Sequence, residues 1–181
     1  MNIAVIFAGG TGTRMNSKDK PKQFLKMHDK PIIIHTLEKF ENNENIDAIV
    51  IACIKDWIDY LSHLIEYYHM SKVKKIVPGG ETGQMSIYAG LNAAKDIADG
   101  QNAIVLIHDG VRPLINDDVI NNNIISVMKN GSAITSIKVT ETIMEINDDA
   151  SIKHIPDRSH SRIARAPQSF WLDEILAIHN K

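Results

Sequence analysis

The stretch Asn2-Ile3-Ala4-Val5-Ile6-Phe7-Ala8-Gly9-Gly10-Thr11-Gly12-Thr13-Arg14-Met15 decides the fold. Its apolar run, Ile3–Phe7, gives way at once to glycines and a cation. A β-branched run that is apolar on both faces reads as a strand buried in a parallel sheet. Glycines let the following backbone approach a ligand closely, and successive N–H groups in such a loop form a nest for an anion. The dinucleotide fingerprint G-x-G-x-x-G begins at Gly10 but meets Met15 where its third glycine belongs, and no G-x-x-x-x-G-K-[ST] string occurs. What remains is a phosphate-binding loop with its own cation, Arg14, followed by Pro21-Lys22-Gln23. Pro21 restricts the chain before Lys22 and so fixes its direction. Lys18 and Lys26 read as solvated loop charges.

Outward from this loop the pattern repeats. Ile46–Cys53, Val73–Val77, Ala103–Ile107 and Ala133–Lys138 read as further buried parallel strands. Helical spacing fills the intervals at Pro31–Glu41, Ile54–His69, Gln84–Ala98 and Asp117–Asn130, the last with an acidic start and Gly131 at its end. Strand and helix in alternation predict an α/β fold, a Rossmann-like, mostly parallel twisted sheet flanked by helices. Thr140–Pro156 breaks the rhythm with alternating apolar and polar residues around Asn147-Asp148-Asp149. That is a hairpin signature. It is read either as a projecting arm, about 139–160, or as an added antiparallel edge.

With 181 residues the chain is expected to form one domain, 1–181. Hydrophobic residues make up 44% and charged residues 23%, near globular averages, so wholesale disorder is excluded. A net charge of −2 gives no electrostatic ground for a nucleic-acid or membrane partner. The one cysteine, Cys53, lies in an apolar run and reads as a buried hydrophobe. The N-terminus lacks the charged, long-apolar pattern of a signal peptide, and the expected location is the cytoplasm.

Ala8-Gly9-Gly10-Thr11-Gly12-Thr13-Arg14-Met15 followed by Pro21-Lys22-Gln23-Phe24 resembles the sugar-phosphate nucleotidyltransferases. Within them the chain is similar to the cytidylyltransferases that act on ribitol 5-phosphate or methylerythritol phosphate. Further segments match in order: Gly79-Gly80-Glu81 with Ser86 and Gly90-Leu91, then His108-Asp109-Gly110-Val111-Arg112-Pro113, then Pro156-Asp157-Arg158 with Ala166-Pro167-Gln168-Ser169-Phe170. Gly-Gly-Thr-Gly-Thr-Arg, Val111 before Arg112, the stretch from Lys30 to Thr36, and Trp57 look like the ribitol branch. The methylerythritol branch more often shows Ala-Ala-Gly and Ala-Ala-Arg-Pro.

The resemblance implies transfer of CMP from CTP to an alditol phosphate, most readily D-ribitol 5-phosphate, with methylerythritol phosphate as the alternative acceptor. Arg14 and Lys22 would be catalytic. Phe7, Ala8, Gly9, Gly10, Thr11, Gly12, Thr13, Gly80, Glu81, Ser86, Asp109, Gly110 and Arg112 would hold the nucleotide, and Asp109 a Mg²⁺ ion. Thr142, Arg158 and Gln168 would meet the acceptor, the first two from a partner subunit's arm in a homodimer. Read on residues alone, Asp109 serves equally as a helix cap or a partner for Arg112. His108 reads as structural, Thr142 as strand filling and Arg158 as a surface charge. Two departures stand out: Thr82-Gly83-Gln84 where the family often carries an arginine, and Ala166 where the methylerythritol enzymes carry a threonine. Relatives continue past the position of Lys181 into an acidic segment and a lysine-bearing strand. A C-terminally incomplete chain, and with it a nucleotide-binding module without catalysis, is therefore a further expectation.

Overall fold

The computed structural model of the chain describes residues 1–10 and 20–179. In order come β1 (Asn2–Ala8), β2 (Lys26–Met27), β3 (Lys30–Pro31), α1 (Ile32–Glu41), β4 (Ala48–Cys53), α2 (Ile58–Tyr67) and β5 (Val73–Pro78). Then follow α3 (Gly83–Ala98), β6 (Ile104–Asp109), α4 (Asp117–Asn130), β7 (Ser132–Lys138), β8 (Glu145–Ile146), β9 (Ile152–His154), β10 (Arg162–Trp171) and α5 (Leu172–His179).

The main sheet has the order β5-β4-β1-β6-β10-β7. β5, β4, β1 and β6 are mutually parallel, as the apolar runs predict, but Val73–Pro78 is not the buried strand expected: it is a sheet edge with Lys74, Lys75 and Pro78 exposed and no residue fully buried. Alternation along β1 divides the core. Ala4, Ile6 and Ala8 face a layer containing Ile33, Leu37, Phe40, Leu61 and Ile124 from α1, α2 and α4. Ile3 and Val5 face Leu91 and Ala94 of α3 and Leu172 and Leu176 of α5. Period-two strands sandwiched by helices on both faces explain why these runs lack polar alternation.

One strand assignment is corrected. Ser132–Lys138 is not a buried parallel strand beside β6: it is the sheet edge, with Ser132, Ile134, Ser136, Ile137 and Lys138 exposed, and it pairs antiparallel with β10. β10 takes the place next to β6, also antiparallel. Pro167 and the charged Arg162 and Arg165 hide that strand in the sequence, because they depart from an alternating apolar pattern.

Helix ends follow local chemistry. The Asn116 side chain accepts from the Val119 N–H at the start of α4, and Gly131 closes it at φ 85°. Thr82 does the same for α3 by accepting from Met85 N–H. β8 and β9 form a separate antiparallel hairpin whose turn is held by the Asn147 N–H donating to Ser151 O at 2.9 Å. Ile143, Met144, Ile146, Ile152 and Ile155 of this arm are exposed. Among the described residues no helix is long and apolar enough to cross a membrane.

Candidate active site

The carboxyl ends of β1, β5 and β6 converge on one edge of the sheet, where ligands of open α/β folds bind. A cavity of about 220 Å³ opens there, lined by Phe7, Ala8, Gly9 and Gly10 after β1 and Glu81, Thr82, Gly83 and Ser86 at the start of α3. Asp109 and Val111 close the β6 side, and Lys22 and Gln23 the remaining one. Eight residues read from the sequence as site residues thus meet around one space: Phe7, Ala8, Gly9, Gly10, Lys22, Glu81, Ser86 and Asp109. Arg14, Thr11, Gly12 and Thr13 lie outside the described residues.

The walls are held by buried polar groups. Gln23 is 1% exposed, and its side-chain amide donates to Ala8 O at 2.7 Å. The sequence motifs assign Gln23 no role; its one signal is its place beside Lys22. Ser86, also 1% exposed, accepts from the Gly80 N–H at 3.1 Å. Its single hydroxyl proton is shared between Thr82 O at 3.0 Å and Gly80 O at 3.3 Å. Its hydroxyl therefore fastens the β5–α3 loop to α3. Gly9 packs on the same hydroxyl: a Cβ there would lie 2.6 Å from Ser86 Oγ. Only glycine permits so close an approach of the two loops.

Gly110 is buried below the cavity; its N–H donates to Phe7 O at 3.0 Å and its carbonyl accepts from the Thr36 hydroxyl at 3.1 Å. Lys22 stands on a short 3-10 turn, Lys22–Phe24, anchored by Phe24. The Phe24 ring stacks on Trp57 at 4.8 Å between centroids and meets Tyr60 edge-on at 5.3 Å.

On the β6 side the Arg112 guanidinium engages the Asp109 carboxylate. His108 points to the opposite face, packed on Phe40, with Nε2 at 3.1 Å from Arg112 O. A carbonyl partner makes Nε2 the protonated nitrogen. Burial holds His108 below its ordinary pKa, opposed by that hydrogen bond and by the Asp109 charge. The imidazole is therefore a neutral strut for the Asp109–Arg112 loop. For Cys53, burial pushes the thiol up to about 11.

No group of three or more metal-ligating side chains gathers among the described residues. Two carboxylates, Asp109 and Glu81, line this phosphate-sized cavity; so small a set fits Mg²⁺ bound mainly through nucleotide phosphates and water, which needs few protein ligands.

Two larger cavities adjoin. One of about 540 Å³ shares Phe7, Gly83 and Asp109 with the first and adds Arg112, Arg165 and Gln168. The other, of about 400 Å³, lies between His108, Arg112, Thr135 and Arg165. Gln168 therefore lies beside Asp109, whereas Thr142 and Arg158 are exposed in or near the arm and line none of these three cavities of their own chain.

Comparison with known proteins fits this geometry. The chain is 58% identical over 178 residues to a ribitol-5-phosphate cytidylyltransferase of Streptococcus agalactiae, covering 98% of this chain and 74% of that protein. It is 55% identical to one of Vibrio parahaemolyticus, covering 76% of that protein, and 41% identical to a 2-C-methyl-D-erythritol 4-phosphate cytidylyltransferase of Clostridium novyi. The crystal structure of 4-diphosphocytidyl-2C-methyl-D-erythritol synthase from Anaerococcus prevotii superimposes with a TM-score of 0.84 at 28% identity, covering 99% of this chain and 74% of that one. The family described as 2-C-methyl-D-erythritol 4-phosphate cytidylyltransferase (IspD) matches residues 2–181, and the chain belongs to it.

Proposed function

We propose that this chain transfers the cytidylyl group of CTP to D-ribitol 5-phosphate, giving CDP-ribitol and pyrophosphate. The observation that carries the reaction class is the convergence of the β1 and β5 loops, Lys22 and Asp109 on one cavity. The preference for ribitol 5-phosphate over methylerythritol phosphate rests on 58% identity to relatives named for the first acceptor against 41% for the second.

In the reaction an oxygen of the acceptor phosphate attacks the α-phosphorus of CTP. A new P–O bond forms as the bond to the β-phosphate oxygen breaks, and pyrophosphate leaves with the electron pair. Both reactants are anions, so positioning and positive charge are the protein's main contributions. The backbone at Ala8–Gly10 offers N–H groups to phosphate oxygens. Lys22, half-buried on its anchored turn, meets the charge that builds on the leaving group. Arg14 would add a planar fork of donors to the same task. Asp109 would hold Mg²⁺, which supplies neutralisation of the triphosphate.

A homodimer in which Thr142 and Arg158 of the partner subunit reach the acceptor is part of this reading. It is supported by the exposed isoleucines of the arm and by the absence of both residues from the lining of the three cavities described above. The free, buried Cys53 supports a reducing compartment such as the cytoplasm.

Pyrophosphate release from CTP and Mg²⁺, with ribitol 5-phosphate and methylerythritol phosphate in turn, tests the proposal. A higher kcat/KM with ribitol 5-phosphate is expected, and a higher value with methylerythritol phosphate overturns the acceptor assignment. CTP-dependent thermal stabilisation without release from either acceptor marks a binding module. Lys22→Ala should lower kcat on the order of 100-fold with a smaller loss of CTP binding. Full turnover in that variant removes Lys22 from the chemistry.

A further inference from the structure

We infer that Arg165 binds the phosphate of the acceptor from within the same chain as the nucleotide loop. The inference rests on the cytidylyl-transfer reading above. β10 pairs Ala164 with Ser136 and Gln168 with Ile134 of β7, so four steps along β10 match two along β7. The residues between, Arg165-Ala166-Pro167, bulge out of the ladder, and bulges re-aim side chains beside sites. This one lies where β10 passes the carboxyl end of β6: Gln168 is opposite Ile107, two positions before Asp109.

The bulge brings Arg165 to the rim shared by both larger cavities, together with Arg112 and Ala166. Charge accounting separates the cations there. Arg112 is engaged by Asp109. Lys22 faces the smaller cavity on the nucleotide side. The Arg165 side chain has no hydrogen bond or ion pair among the described residues. An acceptor phosphate that enters the 540 Å³ cavity beside Asp109 brings a charge that the Asp109–Arg112 pair leaves uncompensated. A planar guanidinium at its rim matches two phosphate oxygens at once. No sequence motif marks Arg165; its neighbour Ala166 is the position that departs from the methylerythritol enzymes.

Arg165→Ala and Arg165→Lys, made in the full chain and assayed with CTP, Mg²⁺ and ribitol 5-phosphate, test the assignment. In Arg165→Ala the KM for the acceptor should rise about tenfold or more, the scale of a lost charged hydrogen bond. The KM for CTP and the CTP-induced thermal shift should stay at wild-type values, and Arg165→Lys should recover part of the loss. Inhibition by inorganic phosphate, competitive with the acceptor, should weaken in parallel. An unchanged acceptor KM, or an equal rise for CTP and acceptor, overturns the assignment. Should the wild type prefer methylerythritol phosphate, the acceptor reading of the preceding section fails, while the same split of KM values measured with that substrate still decides Arg165. Should the wild type turn over neither, calorimetry of ribitol 5-phosphate binding to the CTP-loaded wild type and Arg165→Ala decides it: weaker binding in the variant supports the role, and equal or undetectable binding in both overturns it.

Discussion

The side-chain amide of Gln23 donates at 2.7 Å to the carbonyl of Ala8, tying the turn that carries Lys22 to the end of β1. Both partners are buried, so neither finds water if the other is lost. Gln23→Leu should cost about 1–3 kcal/mol of stability, because a buried carbonyl loses its donor. Gln23→Glu should do worse by setting a carboxylate oxygen against that carbonyl. Urea unfolding reads the first effect, and a raised KM for CTP reads the displacement of the turn. Wild-type KM values in both variants would show that the tie does not shape the cavity.

Gly9 and Ser86 form a second coupled pair. Gly9→Ala sets a methyl 2.6 Å from Ser86 Oγ, and that hydroxyl is fixed by its three backbone contacts. The loops must part, and CTP binding should weaken on the order of tenfold or more. Removing the hydroxyl leaves Ser86 Cβ as the neighbour at 3.4 Å, so Gly9→Ala with Ser86→Ala should bind CTP better than the two single losses predict. A double-mutant cycle on CTP affinity measures this, and strict additivity would deny the contact.

Trp57 supports the turn bearing Lys22 through a cluster of three rings. The Phe24–Trp57 stack and the edge contacts with Tyr60 clamp the turn bearing Lys22 and Gln23. Trp57→Ala should destabilise the chain by about 2–3 kcal/mol, less than for a fully buried ring because Trp57 is half-buried. It should also lower kcat, since Lys22 loses its fixed direction. Unfolding midpoints and steady-state rates separate the two effects, and an unaltered kcat would mean that other contacts aim Lys22.

Cys53 gives a pH signature. Burial raises its thiol from 9.0 to about 11 in the folded chain, so the unfolded chain loses its proton first as pH rises. The folded state therefore keeps this contribution below about pH 9 and loses it between pH 9 and 11, on the order of 3 kcal/mol in all. Unfolding free energies of wild type and Cys53→Ala, compared across that window, should converge as pH rises. Thiol labelling of the folded chain at neutral pH should be slow and should accelerate on unfolding. Rapid labelling of the native chain would contradict the burial.

The sequence by itself determined β1 and its glycine turn, the parallel runs through β6 and the helices between them. It even placed both ends of α4 at Asp117 and Asn130, next to Asn116 and Gly131. These features depend on neighbours within one or two turns of chain, which periodicity, caps and glycines encode directly. It also named Lys22, Asp109 and the β5–α3 loop, because motif spacing survives without knowledge of the fold. Only the tertiary structure decided that β10 slips between β6 and β7, that its bulge carries Arg165 to the cavity rim, and that Gln23 holds Ala8. Only the tertiary structure, too, turned the Ser86 hydroxyl to the backbone and left Thr142 and Arg158 out of the lining of the three cavities described. Strand pairing and buried hydrogen bonds join residues far apart in the chain, and which distant partner wins is settled by packing the whole core at once.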